Sequence, residues 1–249
     1  MHPEPAGGPV IGDAFGLALL DHLDNGAEAR QHFVERDDGY LESFDTAIYF
    51  TGSSLLTETE SSVAGRAGRR VLDVGAGAGR HSLPLQESGR EVVALDISPG
   101  ATEVCRRRGV RRTFTGTVFE LVEAGMNSFD TILLLGNNLG LLESPEHAPD
   151  FFAALSELAV PGGEVIGTCR DPFDTDDPLH LGYHELNRRR GRLPGQLRLR
   201  SRWANVAIPW FDYLFIPVAE LEALAHDAGW DLVSHQPGPG PYLAVLRRR

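Results

Sequence analysis

From Arg69 onward, apolar β-branched runs alternate with helical patterns, and this alternation restricts the fold more than any other feature. RRVLDV (69–74), EVVALDI (91–97), VRRTFTG (110–116), FDTILLLG (129–136) and GEVIGTCR (163–170) read as strands. Between them RHSLPLQESG, SPGATEVCRRRG and SPEHAPDFFAALSELAV read as helices. Their punctuation agrees: Ser98 is placed to cap with Pro99 at the first helical position, Gly89 is a stop, and Pro161-Gly162-Gly163 ends the third helix. Strands spaced by helices of this length make βαβ units, hence a parallel sheet covered on both faces. The end of the chain differs. WDLVSHQ and PYLAVLRR are joined by the tight PGPG and must pair as a hairpin. The expectation is a doubly wound α/β fold: a mostly parallel seven-stranded sheet with a C-terminal antiparallel hairpin, a helical N-terminal segment and an inserted cap.

The remaining segments fit around that core in one domain. Residues 1–11 read as a tail, 12–66 as mostly helical, 69–170 as the ligand-binding core, 171–216 as the cap and 217–249 as the final helix and hairpin. DAFGLALLDHL puts Phe15, Leu19 and Leu23 on one helix face, and SSLLTETESSVAG (53–65) reads as a further helix. In the cap, GQLRLRSRW alternates as a half-buried strand does, and VAIPWFDYLF is its antiparallel partner. The pair is expected over the carboxyl edge of the sheet.

The glycine loop after the first strand narrows the ligand. Gly75, Gly77 and Gly79 run G-x-G-x-G, whereas a dinucleotide loop needs G-x-G-x-x-G, and Arg80 stands where its third glycine would be. A phosphate loop needs a lysine, and the chain has none. Asp73 precedes the loop; its carboxylate would repel a pyrophosphate and attract a cation. Asp96 ends the second strand, at the distance of an acid that takes ribose hydroxyls. Together these point to a ligand with a ribose, no diphosphate and a positive charge.

VLDVGAGAGRH (71–81) resembles the first motif of class I S-adenosylmethionine-dependent methyltransferases, D-x-G-x-G-x-G, and VVALDIS (92–98) resembles the second. The resemblance spans residues 69–170 by motif and reaches the C-terminal hairpin by element order. It implies S-adenosylmethionine as cofactor and S-adenosylhomocysteine as product. It places Asp73, Gly75, Ala76, Gly77, Gly79 and His81 at the methionine part, Asp96 on the ribose and Ile97 against the adenine. Gly116, Thr117 and Val118 fall at the adenine pocket, with Thr117 where the family often has an acid. Leu135, Gly136 and Asn137, at the fourth strand's tip, would face the sulfonium methyl. The (N/D)PP(Y/F) motif of base-amine and amide methylators is absent there; GNNLG (136–140) more resembles small-molecule enzymes. Asn137 and Asn138 either orient a ligand or hold a left-handed turn.

Catalytic candidates come from the cap. Tyr183, His184 and Glu185 are the candidates; His184 is either the leading general base, because its ordinary pKa lies near neutrality, or a surface or packing histidine, and Asn137 is an orienting group. Tyr40, Tyr49 and Phe50 either close over the cofactor or pack the core; Trp203, Trp210, Phe211 and Tyr213 either line an apolar acceptor pocket or pack the core. DPFDTDDPLHLGYHE (171–185) is rich in His and acids, but its irregular spacing and two prolines favour a turn-rich loop, and no metal is expected. The net charge of −12 opposes nucleic-acid binding. Seven arginines between 188 and 202 either pair with the acidic N-terminal segment or recognise an anion or RNA. No apolar run is long enough for a membrane span, and Cys105 and Cys169 read as buried thiols of a cytoplasmic protein. The expected activity is methyl transfer to O or N of a small molecule, by a monomer or homodimer. RNA or protein methylation, or cofactor binding without catalysis, stand as the other readings.

Overall fold

The structure is a computed structural model that describes residues 8–51, 63–238 and 240–249. The chain opens with strand β1 (Val10–Ile11), helix α1 (Ala14–Asn25) and the antiparallel hairpin β2 (His32–Arg36) and β3 (Leu41–Phe44). The alternating core follows as β4 (Arg70–Val74), α2 (Ser82–Glu87), β5 (Glu91–Asp96), α3 (Pro99–Arg107), β6 (Thr113–Thr115), α4 (Val118–Glu123), β7 (Phe129–Leu134), α5 (Ala148–Leu158) and β8 (Ala159–Cys169). The cap comprises α6 (Pro178–Arg189), β9 (Gln196–Trp203), β10 (Val206–Ala207) and β11 (Phe211–Leu214); α7 (Val218–Asp227), β12 (Trp230–Gln236) and β13 (Tyr242–Arg248) close the chain.

The main sheet has seven strands in the order β6-β5-β4-β7-β8-β13-β12. Strands β4 to β8 are parallel to their neighbours, and β13 runs antiparallel between β8 and β12. Both faces are buried. Leu72, Leu95, Ile132 and Leu134 pack with Phe152 and Trp230 on one side, and Val71, Val92, Leu133 and Ile166 pack with Val245 on the other. Continuous apolar strands are what a two-sided parallel sheet requires. The chain leaves β4 outward to β6 and then returns to β7. The loops after β4 and β7 therefore diverge, and a crevice opens at the carboxyl ends of these strands.

Several expectations need correction. Residues 12–51 are not mostly helical: only α1 fits, and β2–β3 is a hairpin turned at Asp38-Gly39, with Gly39 at φ 90°. Residues 10–11 are not tail but pair with β10. These N-terminal strands and the cap strands form one second sheet, ordered β1-β10-β9-β2-β3, with β11 also on β9. The cap segment is not a turn-rich loop throughout: Asp177 caps α6 by accepting from Leu179 N at 2.8 Å, and Pro178 takes the first helical position. Helix α5 ends before Pro161-Gly162-Gly163, which lies inside β8. Of the helix expected at 53–65, residues 63–65 are helical and the rest lies outside the described residues.

Helix α1 is latched to the core. Asp13 caps it, accepting from Gly16 N at 2.9 Å, and also accepts from Ser98 Oγ at 2.9 Å and Gly100 N at 2.8 Å. The two helices touch glycine to glycine: a Cβ on Gly100 would lie 2.6 Å from Gly16 Cα.

Candidate active site

The glycine loop turns back on itself by alternate left-handed residues. Gly75, Gly77 and Gly79 sit at φ 69°, 56° and 78°, a region side chains disfavour, which explains the every-second-residue spacing. Its N–H groups are used internally. Gly75 and Ala76 donate to Leu95 O, Gly77 to Asp96 Oδ2 at 2.9 Å, and Gly79 to Ala76 O. These four donors are thus not aimed at a phosphate, in agreement with a ligand lacking one.

Carboxylates dominate the charge under the loop. Asp96 is 6% exposed and accepts from Gly77 N and Ser98 N, both at 2.9 Å. Burial, then Asp13 and Asp73, raise its carboxyl to about 6, against those two hydrogen bonds. Asp73 lies deeper, accepts from Ser82 Oγ at 2.6 Å, and is likewise pushed upward by burial, partly opposed by His81. Elevation of the Asp96 carboxyl by Asp13 and Asp73 marks a negative potential that a cation relieves. These residues fit a sulfonium-bearing nucleoside: Asp96 for ribose hydroxyls, and the three acids for its positive charge.

The exposed tips of the strands extend this edge. Ile97, beside Asp96, is 71% exposed, an unusual placement for isoleucine and one suited to covering a flat base. Gly116 follows β6, bonded to Asp96 O. Thr117 has its hydroxyl committed to the capping box with Glu120, and the Val118 side chain is buried in the core. The N–H groups of Gly116 and Thr117 are likewise engaged, by Asp96 O and Glu120 Oε2. Leu135 packs in the core under the sheet, and Gly136 is exposed at φ 70°. Asn137 does hold a left-handed turn, at φ 71°; its N–H donates to Thr168 Oγ, while its buried Oδ1 has no partner among the described residues. Asn138 ties the β7 tip to the loop, donating to Val74 O at 3.0 Å.

The second sheet roofs this edge. Opposed residues in an antiparallel pair share a face. Register therefore puts His32, Val34, Arg36, Leu197, Leu199, Ser201, Trp203, Phe211 and Tyr213 on one face. That face reaches the core at both ends. Phe15 packs 5.5 Å from the His32 ring and 5.2 Å from Tyr49, and both Phe15 and Tyr49 approach within 3.7 Å of a Cβ built on Gly77. At the other end Tyr213 Oη donates to Asn137 O at 2.6 Å. Tyr49 thus stands over the loop, its hydroxyl pushed up to about 12 by burial and by Asp96. Phe50 packs with the cluster that holds loop residue Ala78 and lies under Arg108, which donates to Ala78 O, whereas Tyr40 stands beside Arg36.

The opposite face carries the arginines, and they are paired. Arg200 and Arg202 share Glu35, Arg192 and Arg198 share Asp212, and Trp210 packs under Arg200. On and after α6, Arg188 and Arg189 reach Glu185, and Arg190 reaches Asp37. The pairing with the acidic N-terminal segment expected from sequence accounts for three of the seven.

The cap base candidates are not brought to the loop. Tyr183 Oη donates to Asp37 Oδ1 at 2.6 Å and accepts from Arg198 N, and burial and that carboxylate raise its pKa. A phenol so engaged is a structural strut. His184 is buried against Phe173; burial, then Arg188, His180 and Arg36, lower its pKa. The histidine on the roof is His32, which the sequence reading passed over. The available signal was Asp38-Gly39 between HFVER and YLESF, a hairpin pattern that places His32 on a strand. Among the described residues no group of three or more His, Cys, Asp or Glu is arranged to hold a metal, and no helix is long and apolar enough to cross a membrane.

A doubly wound sheet with this loop and two buried acids beneath it suits a cationic nucleoside. Comparison with known proteins agrees. Residues 71–163 match the methyltransferase domain family. The chain is 34% identical over 185 residues to demethylmenaquinone methyltransferase of Renibacterium salmoninarum, covering 72% of this chain and 74% of that one. Ubiquinone biosynthesis O-methyltransferase of Hahella chejuensis is 34% identical over 110 residues, 40% of this chain and 42% of the relative, so the match spans less than half of that protein. A solved S-adenosylmethionine-dependent methyltransferase of Bacteroides fragilis, in complex with S-adenosylhomocysteine, superposes with TM-score 0.80 at 29% identity, covering 94% of each chain. The chain belongs to the class I S-adenosylmethionine-dependent methyltransferases, and S-adenosylmethionine is its cofactor.

Proposed function

We propose that the protein transfers the methyl group of S-adenosylmethionine to an oxygen or nitrogen of a small-molecule acceptor. The observation that carries this reading is the two-faced roof. Its aromatic face, on which Arg36 is paired with Asp38, lies over the loop and the β7 tip, and the other roof arginines are neutralised on the opposite face and on and after α6. A cleft of that kind suits a compact, partly aromatic acceptor. An RNA substrate would need unpaired cations beside the reacting group.

The cofactor supplies an activated methyl when bound. The chain's part is to align and dehydrate the reacting pair. Asp96 holds the ribose, Asp13, Asp73 and Asp96 favour the positive charge, and Phe15 and Tyr49 shield the loop from water. Quinols fit the names of the two relatives above, and we take phenolic or quinol rings as the first acceptors to try. The two buried free thiols suit a reducing, cytoplasmic setting.

The test begins with calorimetric titration of S-adenosylmethionine and S-adenosylhomocysteine into wild type and Asp96→Ala. Micromolar binding that weakens at least tenfold, about 1.4 kcal/mol, supports the ribose role. A panel of catechols, hydroquinones and aromatic amines with methyl-labelled cofactor then follows. Binding without transfer to any of them, together with labelling of bulk RNA, would replace the small-molecule reading.

A further inference from the structure

We propose that Arg108 is a positioning residue for cofactor binding: its guanidinium bridges the glycine loop and the turn that carries Tyr49, and so sets how Tyr49 covers the loop. The proposal deepens the methyl-transfer reading above and rests on its cofactor.

Three observations meet at this guanidinium. The first is its choice of partners. Arg106 and Arg107, its neighbours at the end of α3, pair with Glu103 and Asp24. Arg108 is half-buried and has no carboxylate partner among the described residues; it donates to main-chain carbonyls instead. Its Nη1 serves Ala78 O, inside the glycine loop, and reaches Tyr49 O at 3.5 Å, while Nη2 serves Phe50 O at 3.2 Å. The second is the need of those carbonyls. Thr46–Tyr49 form a single 3₁₀ turn, begun by Asp45, whose carboxylate accepts from Ala47 N at 2.9 Å. Carbonyls at the far end of such a turn have no partner within it. Arg80, which follows the loop's last glycine, donates to Ile48 O at 3.4 Å, so the successive carbonyls of Ile48, Tyr49 and Phe50 all meet guanidinium groups rooted on the core. The third is what the turn carries. The Tyr49 ring comes within 3.7 Å of a Cβ built on Gly77, and its hydroxyl is in electrostatic reach of Asp96.

The physics favours a guanidinium here. Burial disfavours the charge and lowers the Arg108 pKa. Carbonyls on two sides of one planar fork, with the Phe50 ring 5.0 Å away, offset that cost, and a lysine ammonium cannot span the same partners. Bonds from an arginine to main-chain carbonyls can be exchanged for water, so losing them frees the turn without opening the sheet. With Arg108 in place Tyr49 stays over Gly77 and the cofactor leaves slowly. Without it the ring departs and the cofactor leaves faster. Because Arg108 acts through the turn, its effect should vanish once the Tyr49 ring is gone.

The test is a double-mutant cycle on the release of S-adenosylhomocysteine, read by stopped-flow displacement. Arg108→Ala should speed dissociation about tenfold, equivalent to about 1.4 kcal/mol, and Tyr49→Ala at least as much. The double variant should release no faster than Tyr49→Ala alone, to within about twofold. A merely structural role predicts that the two factors multiply, and that result overturns the proposal, as does unchanged release in Arg108→Ala. Arg107→Ala, which breaks only a surface ion pair, should leave release unchanged. Hydrogen exchange of the ligand-free protein gives a second readout. The Ile48 and Phe50 amides, both bonded within the turn, should lose protection in Arg108→Ala while α3 and β4 keep theirs. Loss throughout α3 instead would make Arg108 a support of its own helix and overturn the proposal. Should Arg108→Ala fail to fold, Arg108→Lys, which keeps the charge and loses the fork, takes its place in the same cycle. Failure of the wild type to bind S-adenosylhomocysteine would count against the methyl-transfer reading itself, whatever the exchange pattern.

Discussion

Asp13 is the residue through which the N-terminal segment is held against the cofactor core, and Asp13→Ala tests that directly. The substitution removes the α1 cap, worth about 1 kcal/mol. It also removes the bonds from Ser98 Oγ and Gly100 N, each worth roughly 1.5 kcal/mol to a half-exposed carboxylate. The carboxylate's own dehydration is recovered, so the net loss should be about 3 kcal/mol, a large share of the 5–15 kcal/mol typical of a domain. At roughly 3 °C per kcal/mol for a chain of this size, the midpoint should fall about 9 °C. Calorimetric melting measures this, and hydrogen exchange should show α1 amides losing protection before those of β4 and β7. Asp13→Asn, which keeps one acceptor oxygen, should fall between. A change under about 2 °C with α1 still protected would refute the latch. Asp13 also helps raise the Asp96 carboxyl, so either variant should move that group's titration downward.

Other consequences can be checked independently. The Asp96 carboxyl, at about 6 in the fold, stands above its ordinary value near 3.9. Its contribution to apo stability is thus present below the lower value and lost as pH rises through about 6. A cation needs the ionised form, so S-adenosylmethionine affinity should fall as pH drops through about 6, with proton release detected by calorimetry in buffers of different ionisation heat; a flat affinity from pH 5 to 7 would contradict the assignment. Gly100→Ala forces a Cβ to 2.6 Å from Gly16 Cα and should cost about 1–3 kcal/mol in urea unfolding, with no compensating effect of salt. Tyr213→Phe strips the donor from Asn137 O and should cost about 1–3 kcal/mol while leaving cofactor affinity within a few-fold. Cys105 and Cys169, raised by burial to about 12 and about 11, should resist an aromatic disulfide reagent until the protein unfolds.

Much of the core could be read from local pattern because each signal there is local. Strand β4, its loop and Asp96 lie within one βαβ unit, and helix α3 carries its own cap in Ser98-Pro99. The roof could not be read that way. Its strands are contributed by residues 10–44 and by residues 196–214, and none of β1, β2 or β3 announces a partner so far along the chain. His32 illustrates the difficulty: in sequence it is one histidine in a charged stretch, and it becomes a buried ring with one satisfied nitrogen only when β9 brings Ser201 beside it. His184 failed in the opposite sense, since near-neutral chemistry suggested a base and α6 packed it against Phe173.

The amino-acid sequence by itself determined the parallel sheet, the glycine loop between its first strand and helix, and the exclusion of phosphate loops. Periodicity, backbone sterics and the sign of a charge act over a few residues and do not depend on what packs against them. Tertiary structure alone decided which side chains face the cleft, because the partners of a β-strand are chosen by long-range pairing. It also decided which arginines are neutralised and which nitrogen of His32 meets Ser201, since burial and hydrogen bonding belong to the assembled environment and not to the residue.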